Sequence, residues 1–422
     1  MANEGFGRTG CSMKNLWLCL LMTVLFIGCA KDDNVTTQAQ RKLINPIERC
    51  YPNVVANEYN VLWKNGKVTR VKAASGEEAL DQIRKNIDDV KFIEPEYRVQ
   101  PKPIRGLSTL SNNIDNWGLQ NIEADAAWKQ GLYGDDVVVA VIDDGVDVNH
   151  PQLQPVIYYN EQEIPNNGVD DDGNGYVDDY AGYNFASRRG GNQVTGNHGT
   201  HVAGIIAAHH TDTTYKTDKV QGLAPKAKIL PIDFIDETGG TMMDAVDAIN
   251  YAVQRGAQVI NASWGGGGCS VVLGEKINEL GRLGILFVAA SGNSGYNIDS
   301  TPQYPASYNL PNMITVGATS EWDGMTYFSN YGVESVHIFA PGNNIVSTYG
   351  TGYESLSGTS MSAPFVSAAA AIAIQANPSL SMSELRSLLL NSGQKDERYL
   401  NSSQGLLNVR NMVEKRQSAA LH

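Results

Sequence analysis

Runs of aliphatic residues recur along the chain from residue 137 onward, separated by stretches that are apolar on one side only. Val137–Ile142 (VVVAVI) is aliphatic at every position, the pattern of a strand buried on both faces of a parallel sheet. Ala227–Phe234, Gln258–Ala262, Ile285–Ala290 and Met313–Gly317 are mostly apolar and read the same way. Between them, Met242–Arg255 follows a capping Thr241 and stops at Gly256, and Val272–Leu283 stops at Gly284; both predict helices. Strands and helices in alternation predict an α/β fold, a mostly parallel sheet covered by helices on both faces. Functional groups in such folds collect at the carboxyl ends of the strands.

The segment ahead of this domain has a different texture. Leu16–Gly28 (LWLCLLMTVLFIG) is an apolar run of signal-peptide length behind Arg8 and Lys14, and Met13 supplies a tighter start than Met1. The run ends Phe26-Ile27-Gly28-Cys29, which resembles the lipobox of bacterial lipoproteins. That resemblance implies a signal over 1–29, lipidation of Cys29, and an exported protein held by its lipid in a bacterial outer membrane or at the cell surface. A polar tether follows over 30–57. Residues 58–101 read as a small α+β module: strands Tyr59–Trp63 and Val68–Ala73 about the Asn65-Gly66 turn, a helix Glu77–Asn86 and a strand Val90–Ile93. A Pro, Ser and Asn linker spans 102–113, the large domain 114–400, and a tail 401–422.

The formal net charge is −13 and no basic run occurs, which excludes a nucleic-acid binder. Of the five cysteines, only Cys50 and Cys269 lie outside the leader, and both are expected as free thiols.

Three polar groups stand out against the apolar pattern. Asp143-Asp144-Gly145 ends the first core strand, and spacing does not decide which acid points inward. His198 opens a small-residue helix in Asn197-His198-Gly199-Thr200-His201-Val202-Ala203-Gly204; its H-x-x-H spacing lacks the glutamate of a zinc helix. Ser360, in Gly358-Thr359-Ser360-Met361-Ser362-Ala363-Pro364, precedes the apolar run Ala363–Ala376. A serine there sits at a helix N-terminus, where unpaired N–H groups can hold a developing negative charge. Asn293 lies in a glycine-rich turn after Ile285–Ala290.

Asp, His and Ser in that order, inside HGTHVAG and GTSMSAP, resemble the subtilisin-like serine proteases (subtilases) over Trp117–Asn391. The resemblance implies Ser360 as nucleophile, His198 as general base, Asp143 as the acid orienting it, and Asn293 as oxyanion donor beside the Ser360 N–H. It implies that Ser263-Trp264-Gly265-Gly266 binds an extended polypeptide substrate and, with Gly292, lines the specificity pocket; we expect a mildly apolar preference there. Asp144 departs from the family's usual Ser or Thr. Residues 58–101, ending in FIEPEY, resemble the family's propeptide, an inhibitor of its own enzyme, cut off between Val99 and Asn113. Catalysis then needs no cofactor. A dedicated maturation protease, a transpeptidase and a non-catalytic binding protein share these motifs.

Asp170-Asp171-Asp172-Gly173-Asn174-Gly175-Tyr176-Val177-Asp178 places oxygen ligands at alternate positions. It resembles the front of an EF-hand loop with Ala181 where the twelfth-position Glu would be, and predicts structural calcium held by Asp170, Asp172, Asn174, Tyr176 and Asp178.

Overall fold

The computed structural model describes residues 54–419 except 100–103, 106–113, 191–195, 212–213, 237–238 and 267. The leader, Cys29 and most of the tether lie outside the described residues.

The first module is a strand β1 (Val54–Trp63), a strand β2 (Val68–Lys72), a helix α1 (Gly76–Ile83) and a strand β3 (Val90–Val99). The strands pair antiparallel in the order β3-β1-β2. Gly66 turns the first hairpin at φ 83°, a conformation open to glycine. Ser75 caps α1 by accepting from the Glu78 N–H, and Ala79 and Ile83 bury with Val61, Val90 and Ile93. The helix stops at Ile83, short of the expected Asn86, because Arg84–Asp89 tightens into a kinked 3₁₀ turn. Strand β3 runs on to Val99, past the expected Ile93, since its second half pairs with another part of the chain.

After a short strand β4 (Ile104–Arg105), the large domain builds its sheet from β5 (Val138–Asp143), β6 (Lys228–Asp233), β8 (Val259–Ala262), β9 (Leu286–Ala290), β10 (Met313–Thr319) and β11 (Ile338–Pro341). Another short strand, β7 (Gly240–Thr241), lies apart from it. The order β11-β10-β9-β8-β5-β6 is parallel throughout, and short antiparallel strands finish the edges. Side chains of a strand alternate faces, and β5 divides accordingly. Val139 and Val141 bury against helices α2 (Asn197–Ala207) and α5 (Thr359–Ala376). Val138, Ala140 and Ile142 bury against α3 (Met242–Gln254) and α4 (Val271–Arg282) on the other face. The alanines of α5 from Ala363 to Ala373 are almost completely buried, and their small side chains let it pass close beneath five strands.

Two hairpin strands, β12 (Ile345–Tyr349) and β13 (Gly352–Ser357), lead into α5. Residues after 400 are not a tail. Gly405–Leu406 joins the sheet beside β11, and Val409, Met412 and Val413 of the last helix bury in the main core, so their apolar side chains have the partner that composition alone does not show. Cys269 is disulfide-bonded, not a free thiol; every other cysteine of the chain lies outside the described residues.

Candidate active site

Strand β5 delivers Asp143 to its carboxyl end, fully buried. The Asp143 Oδ1 accepts from His198 Nδ1 at 2.6 Å. Asp143 is therefore the inward acid. Asp144 turns instead to the start of α2, where its two oxygens accept from the backbone N–H groups of His198 (3.2 Å) and Gly199 (2.7 Å). It caps from outside a helix whose own N-cap, Gly196, has no side chain to do so. Helix and strand end touch so closely that a Cβ on Gly199 would lie 2.2 Å from the Gly145 carbonyl oxygen. The second histidine, His201, has its Nε2 3.0 and 3.1 Å from the carbonyls of Ile345 and Glu354 and pins the hairpin ahead of α5; burial drives it down to about 3, so it is neutral.

Burial pulls the His198 imidazole down, but the carboxylates of Asp143 and Asp144 outweigh it and the net is a rise to about 9. Asp144 is raised to about 6, by burial first and then by Asp143, against the pull of His198. Sequence reasoning missed Asp233, which ends β6 in register with Asp143. Burial, with Asp144, Asp143 and Asp236 nearby, raises it to about 8. Its position at the end of a predicted core strand was the available signal.

Ser360 is the second residue of α5. Its Oγ donates to the Ser263 carbonyl at 3.0 Å, and the Ser263 Oγ donates to the Ser360 carbonyl at 2.9 Å. This reciprocal pair fastens α5 to the end of β8, the strand beside β5. The Nε2 of His198 is buried and has no hydrogen-bond partner among the described residues. The Asn293 Oδ1 accepts from the Thr359 N–H (2.9 Å) and the Thr359 hydroxyl (3.0 Å), which fixes the amide next to the serine.

Ser263–Gly266, Ala290–Ser294 and Gln303–Tyr304 wall one cleft, with Thr359 and Ser360 at its lining. Within it the expected binding residues differ in role. The Trp264 ring is buried against Phe234 and its Nε1 donates to the Ile142 carbonyl, so only its backbone serves the cleft. Gly266 exchanges both backbone hydrogen bonds with Tyr304 (2.9 Å each), which withdraws it from pairing with a substrate and leaves Gly265. A Cβ on Gly292 would meet Asn330 Nδ2 at 2.4 Å and Gln303 Oε1 at 2.7 Å, so the wall there is bare by necessity. Asp299 accepts from the N–H groups of Glu334 and Ser335, away from the cleft. Among the described residues, no carboxylate, lysine or arginine lines it.

The first module docks on this domain through carboxylates. Glu96 accepts from the N–H groups of Met242 (3.0 Å) and Met243 (3.3 Å), the first turn of α3. Glu94 accepts from the Val271 N–H (2.9 Å) and the Ser270 hydroxyl, the start of α4. Each thus supplies an acceptor to the free N–H groups of a helix start. Burial lifts Glu96 to about 7, opposed by Arg70, Nη2 of which lies 3.4 Å away. Arg98 and Val99 of β3 pair with β7, and the described chain resumes at β4, paired with Leu356 and Ser357 three residues before Ser360.

In the acidic loop, Asp170 Oδ1 and Asp172 Oδ1 both accept from the Asn174 N–H. Asp170 accepts from the N–H groups of Asn174 and Gly175, and Asp178 from those of Asn167 and Gly168. The Asn174 Oδ1 accepts from the Tyr176 N–H, and the Tyr176 ring packs on Tyr183 and Tyr251. These are turn contacts that a loop of Asp, Asn and Gly makes with its own backbone. Asp172 joins a carboxylate cluster with Glu163 and Asp179, and the Asn174 amide donates to Asp172 (3.0 Å) and Asp179 (3.1 Å) within it.

The profile of the Subtilase family matches residues 134–406. Alkaline protease of Alkalihalobacillus alcalophilus is 36% identical over 288 residues, 68% of this chain and 66% of that protein's length. Subtilisin Savinase of Lederbergia lenta is 37% identical over 278 residues, 65% of this chain and 90% of that protein. Fervidolysin from Fervidobacterium pennivorans shares the fold, with a TM-score of 0.67 across 88% of this chain and 62% of that one, at 23% identity. With a buried Asp–His pair, a helix-borne serine and this match across the whole sheet, the chain belongs to the subtilase family.

Proposed function

We propose that this chain hydrolyses peptide bonds by nucleophilic catalysis at Ser360. The single observation that carries it is the state of His198: Nδ1 bound to a buried carboxylate, and a buried Nε2 without a partner. In its neutral form an imidazole so held has one lone pair for a hydroxyl proton, and Asp143 fixes the tautomer that exposes it. In the reaction, the Ser360 Oγ–H turns from the Ser263 carbonyl to His198 Nε2. The oxygen attacks the substrate carbonyl as its proton passes to His198. The oxyanion that forms accepts from the Asn293 amide and the Ser360 N–H at the positive end of α5. His198 then returns the proton to the leaving amine, and water repeats the sequence on the acyl-enzyme. The uncharged cleft suits a substrate side chain without charge at the residue before the cut.

The docked first module acts as a propeptide, holding the enzyme as a zymogen while Glu94 and Glu96 cap two helices of the enzyme. The leader exports the chain, and a lipid on Cys29 anchors it at a membrane. Two experiments test this. Product mass spectrometry on a peptide library should show cleavage, with no ligated products, absent from Ser360→Ala. N-terminal sequencing of the purified protein should find the parent cut after the module and Ser360→Ala uncut; identical processing of both retires self-cleavage.

A further inference from the structure

Cys269 is disulfide-bonded and partly exposed, just ahead of Ser270, the N-cap of α4. The chain's four other cysteines, Cys11, Cys19, Cys29 and Cys50, all precede β1. A bond within the chain therefore runs from the large domain to the chain ahead of the first module. That module already touches both neighbours of Cys269. The Tyr97 hydroxyl donates to the Gly268 carbonyl at 3.5 Å, and Glu94 accepts from the Ser270 hydroxyl and the Val271 N–H. Tyr97 is in turn the β3 partner of Val54, the first residue of β1. Paired Cα atoms of antiparallel strands lie about 5 Å apart, so β1 begins beside the residue that reaches Gly268. Cys50 stands four residues before Val54. Four residues span at most about 14 Å, and a disulfide holds its Cα atoms about 6 Å apart. The register of β1 on β3 thus puts Cys50 within reach of Cys269. Cys11 and Cys19 belong to the leader, and Cys29 is the residue expected to carry lipid on its sulfur.

We propose that a Cys50–Cys269 disulfide keeps the first module covalently joined to the enzyme after the chain is cut between them. This rests on the reading of the module as a propeptide. A free cut product is lost by dilution once it undocks. A product on a short tether redocks within one molecule, at an effective concentration of about 1 mM, roughly a thousandfold above a solution of free module at about 1 µM. Undocking then opens the cleft only transiently, and inhibition does not fall on dilution. Oxidising surroundings outside the cytoplasm preserve such a bond. Breaking it takes a dithiol reductant. One thiolate of the dithiol attacks a sulfur of the bridge, the S–S bond breaks and a mixed disulfide forms; the second thiol then displaces the protein sulfur. Cys50 and Cys269 end as thiols and the dithiol as a disulfide, two electrons having passed to the protein. Partial exposure of Cys269 leaves the bridge open to that attack. Full activation is therefore two steps, a cut and a reduction.

The test uses the full chain purified without reductant. Non-reducing peptide mapping should find one linked pair bearing Cys50 and Cys269, absent after dithiothreitol and absent in Cys50→Ser. On denaturing gels the cut parent should run as one species without dithiothreitol and as two with it, and cut Cys50→Ser as two in both. Hydrolysis of a neutral peptide per mole of enzyme, from about 1 µM down to about 10 nM protein, should not change with dilution in the cut parent. Dithiothreitol should raise it at least about tenfold at the low end, and Cys50→Ser should rise on dilution without it. Should Cys50→Ser fail to fold, the parent with and without dithiothreitol still decides. A Cys269 found as a thiol or bonded to another cysteine, or a module lost from the cut parent without reductant, overturns the proposal. A parent that stays whole on a reducing gel refutes self-cleavage and with it the retention, while the linked peptide pair still reports the bond.

Discussion

Replacing Asp144 should move the pH dependence of turnover. Its carboxylate lies within 4.8 Å of the nearest ring nitrogen of His198 and raises the imidazole together with Asp143. Two unit charges at that separation interact by about 3.5 kcal/mol at an effective dielectric of about 20, and by about 0.9 kcal/mol at the value of bulk water. Asp144 is partly exposed, so the real figure falls between. At about 1.4 kcal/mol per pH unit, loss of the charge lowers the His198 value by roughly 1–2 units. Removing a neighbouring negative charge favours neutral imidazole, so the acid limb of kcat/KM moves to lower pH, down from a starting value of about 9. Asp144→Asn and Asp144→Ser should shift it alike, since both remove the charge. They should differ in stability, because asparagine keeps one acceptor for the first turn of α2 and serine is too short to reach it; the difference should be about 1 kcal/mol. The assay is kcat/KM on a neutral peptide ester from about pH 5 to pH 11. An acid limb that stays within about 0.3 units in both variants, or that moves upward, refutes the reasoning.

Asn293→Ala should lower kcat by about 10²–10³ with KM little changed, a magnitude set by the equivalent donor of subtilisin itself; a change in KM alone would contradict the oxyanion role. Gly199→Ala forces a methyl against the Gly145 carbonyl and should cost about 1–3 kcal/mol in chemical denaturation, together with activity, since His198 rides on the displaced turn. Glu96 is raised on docking to about 7, so its contribution to docking is complete below its usual value and is lost as pH rises through about 7. Activation of the processed complex, followed from about pH 5 to pH 8, should therefore speed up with pH, and Glu96→Gln should flatten that dependence; a steeper dependence in the variant would be incompatible with it.

The core strands were legible because a strand buried on both faces must be aliphatic at every position, and Val137–Ile142 has no other comfortable state. Thr241 and Gly256 marked α3 for the same local reason: the hydroxyl accepts from the Asp244 N–H, and the glycine takes φ +74°. What sequence left open is tertiary. Asp143 and Asp144 are chemically identical neighbours, and only the start of α2 decides which one caps it. Glu163 lies before the acidic run and comes beside Asp172 and Asp179 only through the fold. Glu94 and Glu96 look like the end of a strand until α3 and α4 present their N-termini. The β12–β13 hairpin has weak patterning, since its inward residues include Ser347 and Thr348, which donate to the His201 and Thr200 carbonyls. The residues beyond 400 are polar on average, and their few apolar side chains acquire meaning only against α5 and the sheet.

The central claim is that Ser360 is a nucleophile activated by His198. A fluorophosphonate probe, applied to the processed protein and followed by peptide mass spectrometry, tests it most directly. The account predicts a single adduct on the peptide bearing Ser360, absent in Ser360→Ala and slowed by orders of magnitude in His198→Ala. An unlabelled Ser360, or labelling at an undiminished rate without His198, would contradict it.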